Sequence, residues 1–193
     1  MKRPILITAF LFLLLACQEK EKQGLTQIKQ VLNQTKSTQQ EESKGQIVAN
    51  KLANTIPLNE DQLRDAFPKR INDLAVDDRI TVIGQQIIGN FGNHKITLSV
   101  MDASGINSQA AAHFLDSYSY NKDEFSEGFK IIRKERNGIK TTSDYYINTG
   151  QSEIRFLFRD RYYITLANNN TLIQMTPDQL WDSFDVNVLA NFR

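Results

Sequence analysis

Hydrophobic positions fall into three regimes along the chain. From Ile5 to Ala16 they form one apolar run, broken only by Thr8 and preceded by Lys2 and Arg3. From Gln18 to about Gly45 they thin out into a stretch of Gln, Lys, Glu, Ser and Thr. From Ile47 onward they return with the helical and strand periods.

The third regime predicts one folded domain. Ile47 to Leu52 suits a short connecting helix. Asn59-Glu60-Asp61-Gln62 has the form of a capping box, Leu63, Ala66 and Phe67 follow on one face, and Pro68 stops the helix. Two strands are predicted next, Ile80 to Ile88 and Lys95 to Met101, on either side of a Phe91-Gly92-Asn93 turn. In the second, Ile96, Leu98 and Val100 face one way, and Lys95, Thr97 and Ser99 the other. After Asp102-Ala103-Ser104-Gly105, a helix carries Ala111, Phe114, Leu115 and Tyr118 on one stripe.

Four further strands are expected. Phe129 to Lys134 and Ile139 to Ile147 flank Arg136-Asn137-Gly138, a favoured hairpin turn. Glu153 to Arg159 alternates most cleanly, and Tyr162 to Leu166 returns before Asn168-Asn169-Asn170. Thr176-Pro177-Asp178-Gln179 then opens a C-terminal helix with Leu180, Phe184 and Val188 on one face and Trp181 beside it. The order predicts an α+β domain over residues 47–193, an antiparallel sheet of about six strands with helices packed on it.

Composition narrows the class. Of 193 residues, 40% are hydrophobic and 23% charged, enough apolar matter for one core. The formal net charge of +1 gives no field to draw in a polyanion, so nucleic acid is not an expected partner. One cysteine excludes an intramolecular disulfide. The apolar run is about a dozen residues long, short of the roughly 20 that span a bilayer, and fits the core of a signal peptide.

The run ends Leu14-Leu15-Ala16-Cys17, which resembles the lipobox of bacterial lipoprotein precursors. The resemblance implies removal of residues 1–16 by cleavage between Ala16 and Cys17, and lipid attachment to Cys17. At about 0.8 kcal/mol per buried methylene, two or three acyl chains hold a protein firmly to a membrane. Residues 17–46 then read as a lipidated cysteine and polar tether. As a flexible coil the tether would span about 30 Å. Within it, Leu25, Ile28 and Leu32 recur at helical spacing, and Glu19-Lys20-Glu21-Lys22 resembles charged stretches in some surface-displayed lipoproteins. Gln18 is not the aspartate associated with inner-membrane retention, which favours the outer membrane of the cell envelope.

The folded part is similar to envelope lipoproteins of uncharacterised function. That similarity is carried by the strand ending at Asp102, Glu127-Gly128-Phe129, Arg161-Tyr162 and the closing Phe184-Asp185-Val186, over roughly residues 57–193. It implies a fold and an address, not an activity.

Candidate chemistry is sparse. His94 and His113 could pair with Asp102 or Asp116, yet no His-x-x-x-His spacing is present. No G-x-S-x-G elbow marks a serine nucleophile. Asp102-Ala103-Ser104-Gly105 reads as a helix cap, and Asp77-Asp78 as a loop rather than a calcium pair. No metal or cofactor is expected. The informative residues are arginine and tyrosine, which dominate binding hot spots. Arg155, Arg159, Arg161 and Tyr163 should share the non-core side of two adjacent strands, with Tyr118 and Tyr120 near a polar loop. A helix over that face would instead pair the arginines with acids such as Asp182 or Asp185.

The leading expectation is a non-enzymatic, membrane-anchored binding module whose partner is an envelope protein, glycan or lipid. The alternative is a small envelope hydrolase or metal-dependent enzyme using His113 and Asp102 in one concave pocket.

Overall fold

The computed structural model describes residues 44–193. The signal segment, Ala16, Cys17 and the tether up to residue 43 lie outside the described residues. Residues 44–53 form helix α1, so the helix begins earlier than the Ile47 start expected from hydrophobic spacing. The elements that follow are α2 (Glu60–Ala66), β1 (Arg70–Ile71), β2 (Leu74–Ile83), β3 (Gln86–Phe91) and β4 (Ile96–Asp102). A 3-10 turn at Gly105–Asn107 leads into α3 (Gln109–Tyr120). Strands β5 (Glu124–Phe125), β6 (Phe129–Arg136), β7 (Ile139–Tyr146), β8 (Gln151–Phe158) and β9 (Tyr162–Asn168) precede α4 (Pro177–Asp182) and a closing 3-10 turn, Val186–Leu189.

The α+β class holds, but the sheet has nine strands where about six were expected. Their order is β1-β2-β3-β4-β9-β8-β7-β6-β5, and every neighbour pair is antiparallel. The chain therefore meanders through four strands, crosses by α3 and meanders back until β9 pairs with β4 at the centre.

Three strands escaped the sequence pattern for physical reasons. Strands β1 and β5 are two residues long, too short to show a period. The expected strand Ile80 to Ile88 is a hairpin instead: Gly84, at φ 59°, turns the chain so that Ile83 pairs with Gln86. The first arm, β2, sends Leu74, Val76, Ile80 and Val82 to the core side, but the irregularity between Val76 and Ile80 breaks the period in two. Asp77 and Asp78 lie in that irregularity, not in a loop. The Asp77 carboxylate accepts from the N–H groups of Asn93 and His94 at 3.0 and 2.9 Å, fixing the next turn.

Caps and turns follow the sequence closely. Gln62 N–H donates to Asn59 Oδ1 at 2.9 Å and Asn59 N–H to Gln62 Oε1 at 3.0 Å, a reciprocal capping box. Thr176 and Gln179 repeat it at α4. Asn137 and Gly138 are both left-handed, as the hairpin turn requires. The C-terminal helix is shorter than expected. It ends at Asp182, and the side chain of Asp185 caps the 3-10 turn that carries Val188. Ser104 precedes its 3-10 turn without a side-chain cap.

Strand alternation sends two sets of side chains to opposite faces. One face carries Ile87, Phe91, Leu98, Val100, Ile154, Phe156, Ile164 and Leu166, all buried. On it lie Phe67, beyond α2, and the rings of Trp181 and Phe184, 5.4 and 6.2 Å from the Phe156 ring. The other face presents Ser99, Thr165, Arg155 and Thr142 in one cross-strand row, and α3 covers it through Phe114 on Tyr163. Helix α1 packs with α3 through Leu52 and Ala111.

Gly89 marks the tightest point of the first face. A β-carbon there would come within 2.6 Å of Phe67 Cε1, in a ring that is buried and stacked on Phe91. Gly89→Ala is expected to destabilise the domain by about 1–3 kcal/mol through overpacking, read from the shift of the chemical denaturation midpoint.

Candidate binding cavity beneath helix α3

Where α3 crosses the polar face of the sheet, the two surfaces do not close. Between them lies a half-open cavity of about 390 Å³, within the range of small-molecule sites. Ala110, His113, Phe114 and Ser117 line it from the helix, spaced i, i+3, i+4 and i+7 so that all four fall on one side. Thr142, Arg155 and Tyr163 line it from β7, β8 and β9.

Register explains the sheet wall. Thr142 pairs with Arg155, and Tyr163 pairs with Leu157, two residues further along β8 on the same side. Arg155 is held by Asp144, also on this face, and by Glu153 Oε1 at 3.3 Å from its Nε. Burial pushes the Glu153 carboxyl above its ordinary range, against the pull of Arg155. Burial likewise raises the Tyr163 phenol, and its ring stands edge-on to Phe114 at 5.9 Å. Thr142 is only 6% exposed, and its Oγ1 has no hydrogen-bond partner. An unsatisfied buried hydroxyl costs folding free energy.

The structure thus joins two of the six expected binding residues, Arg155 and Tyr163, and separates them from Arg159 and Arg161. Arg159 and Asp160 form the β8–β9 turn, both left-handed. Arg159 Nη1 donates to the carbonyl of Phe192 at 2.6 Å, and its guanidinium lies 5.0 Å from the Phe158 ring. Arg161 makes a two-pronged pair with Asp102, at 2.9 Å from Nε and 2.7 Å from Nη2. The acids that pair with these arginines are Asp144, Glu153 and Asp102, not Asp182 or Asp185. Tyr118 lies one turn beyond Phe114, under the Lys140 ammonium at 5.1 Å. Tyr120 closes α3, and its side chain lies outside what the structure describes.

Asp102 and His113 do not share a site. The Asp102 carboxylate is fully buried, accepts from Arg161 and from the N–H of Leu58 at 2.8 Å, and lies outside the cavity that His113 lines. His94 sits in the turn before β4. Among the described residues no group of three or more His, Cys, Asp or Glu side chains could hold a metal. Among them, too, no helix is long and apolar enough to cross a membrane.

Sequence reasoning missed Ser117 and Thr142 as cavity residues. It placed His113 in a concave pocket, but together with Asp102, which does not line this one. The signal for Thr142 was its register opposite Arg155, which depends on the length of the intervening turn. No family model, curated protein or solved structure matches the chain.

Proposed function

We propose that the chain is an envelope lipoprotein, anchored through acyl chains on Cys17, whose folded domain is a non-enzymatic binding module. The cavity beneath α3 is its binding site. The observation that carries this reading is the cavity's make-up: a hot-spot pair, Arg155 and Tyr163, in the wall of a cleft of small-molecule size. The address rests on the Leu14-Leu15-Ala16-Cys17 motif, and Gln18 favours the outer membrane. The partner belongs to the envelope: a protein, glycan or lipid.

Anchoring is tested by metabolic labelling. Cells given radiolabelled palmitate are expected to label the wild-type chain, and Cys17→Ser is expected to abolish the label and leave the precursor uncleaved. A Cys17→Ser protein that still carried label and stayed with the membrane would overturn the anchor.

A further inference from the structure

We propose that the folded domain rests on the lipid surface through one end of its sheet, where three isoleucines at the tips of adjoining loops dip into the acyl boundary. This rests on the lipid-anchor reading and adds how the domain sits once anchored. Ile56, Ile83 and Ile106 are 86, 63 and 91% exposed. Single exposed apolar residues are ordinary, but three that converge mark a contact surface. The β2–β3 turn and the end of β4 lie side by side, Gln86 against Met101. The three loops meet at Gly105, where a β-carbon would lie 3.4 Å from Pro57 Cγ and 3.8 Å from the Gln85 amide. Each isoleucine is within two residues of that meeting point. Hydrogen bonds hold the arrangement: Asp102 N–H donates to the Gln85 carbonyl at 2.9 Å, and Arg161 Nη2 to that of Ile56 at 3.1 Å.

The make-up of these loops suits lipid. Residues 54–59, 83–87 and 103–110 hold no ionised side chain, so none leaves water with the isoleucines. The adjoining turn, Arg159-Asp160-Arg161, is charged but balanced, because Arg161 pairs with Asp102 and Arg159 neighbours Asp160. Long arginine side chains can keep such charges in the headgroup layer. The opposite end of the sheet is less suited. There Phe125 adjoins Glu124 and Glu127, and burying it would draw carboxylates out of water. Leu172 and Ile173 share a single loop, and what it meets, at Gly150 against Gln174, is polar.

The tether brings the isoleucine end within reach. Helix α1 starts at mid-length of α3, where Gly45 faces Ala112 and Asp116, and runs to the loop that carries Ile56. Its ten residues cover about 15 Å. Residues 17–43, as a flexible coil, would span about 30 Å, enough to let that end turn to the surface. Holding the domain beside the bilayer raises its effective concentration there, so three side chains that bind lipid weakly on their own suffice. With that end down, both sheet faces stand to the side, and the cavity beneath α3 stays open to a partner.

The test is fluorescence quenching in vesicles of phosphatidylethanolamine and phosphatidylglycerol that carry the full lipidated chain. With the Cys17 sulfur alkylated, Ile106→Cys or Leu172→Cys supplies the one thiol open to an environment-sensitive fluorophore. Both positions are more than nine-tenths exposed, so neither change disturbs the core. The label at 106 is expected to be blue-shifted and to be quenched several-fold more by nitroxide lipids than the label at 172. Ile56→Ser together with Ile83→Ser is expected to reduce that quenching, since membrane affinity scales with the apolar area buried.

Equal quenching at the two positions, or more at 172, would overturn the proposal. So would a blue shift at 106 without quenching, which assigns the patch to a protein contact, or quenching that the paired substitutions left unchanged. Mass spectrometry of the same sample separates this proposal from the anchor. A chain that carries acyl groups but is not quenched at 106 overturns the docking alone, whereas a chain without acyl groups overturns the anchor and the docking with it.

Discussion

Arg161→Ala is expected to cost the domain about 3–5 kcal/mol, because it leaves a fully buried carboxylate without its counter-charge. Asp102 ends β4, the central strand that pairs with β9. Its carboxylate ties three segments together: β4, the Arg161 turn and the linker that donates from Leu58. Arg161 also donates to the carbonyl of Ile56, so its loss frees that point of the linker while the bond from Leu58 to Asp102 remains.

The pH dependence follows from the same contacts. Burial pushes the Asp102 carboxyl upward, but hydrogen bonds from Arg161 and Leu58 outweigh it and hold the group below its ordinary value. A carboxyl with a lowered folded-state value adds stability above its unfolded value, about 4, and loses that contribution as pH falls through the folded value. Wild-type stability should therefore decline below about pH 4 as this group protonates. In Arg161→Ala burial is opposed only by the smaller effects of Leu58 and Ser104, so the carboxyl takes up a proton earlier and the deficit shrinks on acidification. Urea denaturation at pH 7 and at lower pH measures both. A deficit that stayed constant between them would contradict the pairing account.

Phe156→Ala is expected to have an effect of similar size, about 3–5 kcal/mol. The ring is fully buried at the middle of β8, and both Trp181 and Phe184 pack on it, the first edge-on at 78°. Helix α4 is only six residues long, too short to be stable alone. It is held by the capping box at Thr176 and by this aromatic cluster, so truncating Phe156 opens a void where the helix rests. Near-ultraviolet circular dichroism should lose the Trp181 signal before global unfolding. A variant that kept both its denaturation midpoint and its Trp181 signal would show that α4 is held elsewhere.

What could be read from the chain follows from how local each signal is. The Asn59–Gln62 and Thr176–Gln179 boxes and the Asn137-Gly138 turn are decided within four residues, and the structure reproduces them. Strands β4 and β8 alternate because each is buried by the apolar core on one face. Strand β2 lies near an edge, and the irregularity between Val76 and Ile80 splits its alternation into two short stretches. Arg159 looked like a strand residue because its turn, Arg159-Asp160, uses the left-handed region without a glycine to announce it.

The cavity was legible only from the sheet side. Arg155 and Tyr163 fall on the polar face by simple alternation, and that much was expected. Which side of α3 meets them depends on how Phe114 seats against Tyr163, a tertiary contact with no counterpart in the local pattern. Arg161 was assigned to the same surface but is drawn away by Asp102, fifty-nine residues earlier in the chain.

The central claim, a ligand site beneath α3, has a built-in reporter. The chain has two histidines: His113 lines the cavity, and His94 sits before the start of β4, whereas Tyr163 pairs with Met101 near its far end. Imidazole C–H resonances of the isotope-labelled protein, followed through a titration with detergent-solubilised envelope extract, separate local binding from general drift. The account predicts a saturable shift of the His113 signals while those of His94 stay fixed. Signals from His113 that did not move, or that moved in parallel with those of His94, would contradict it.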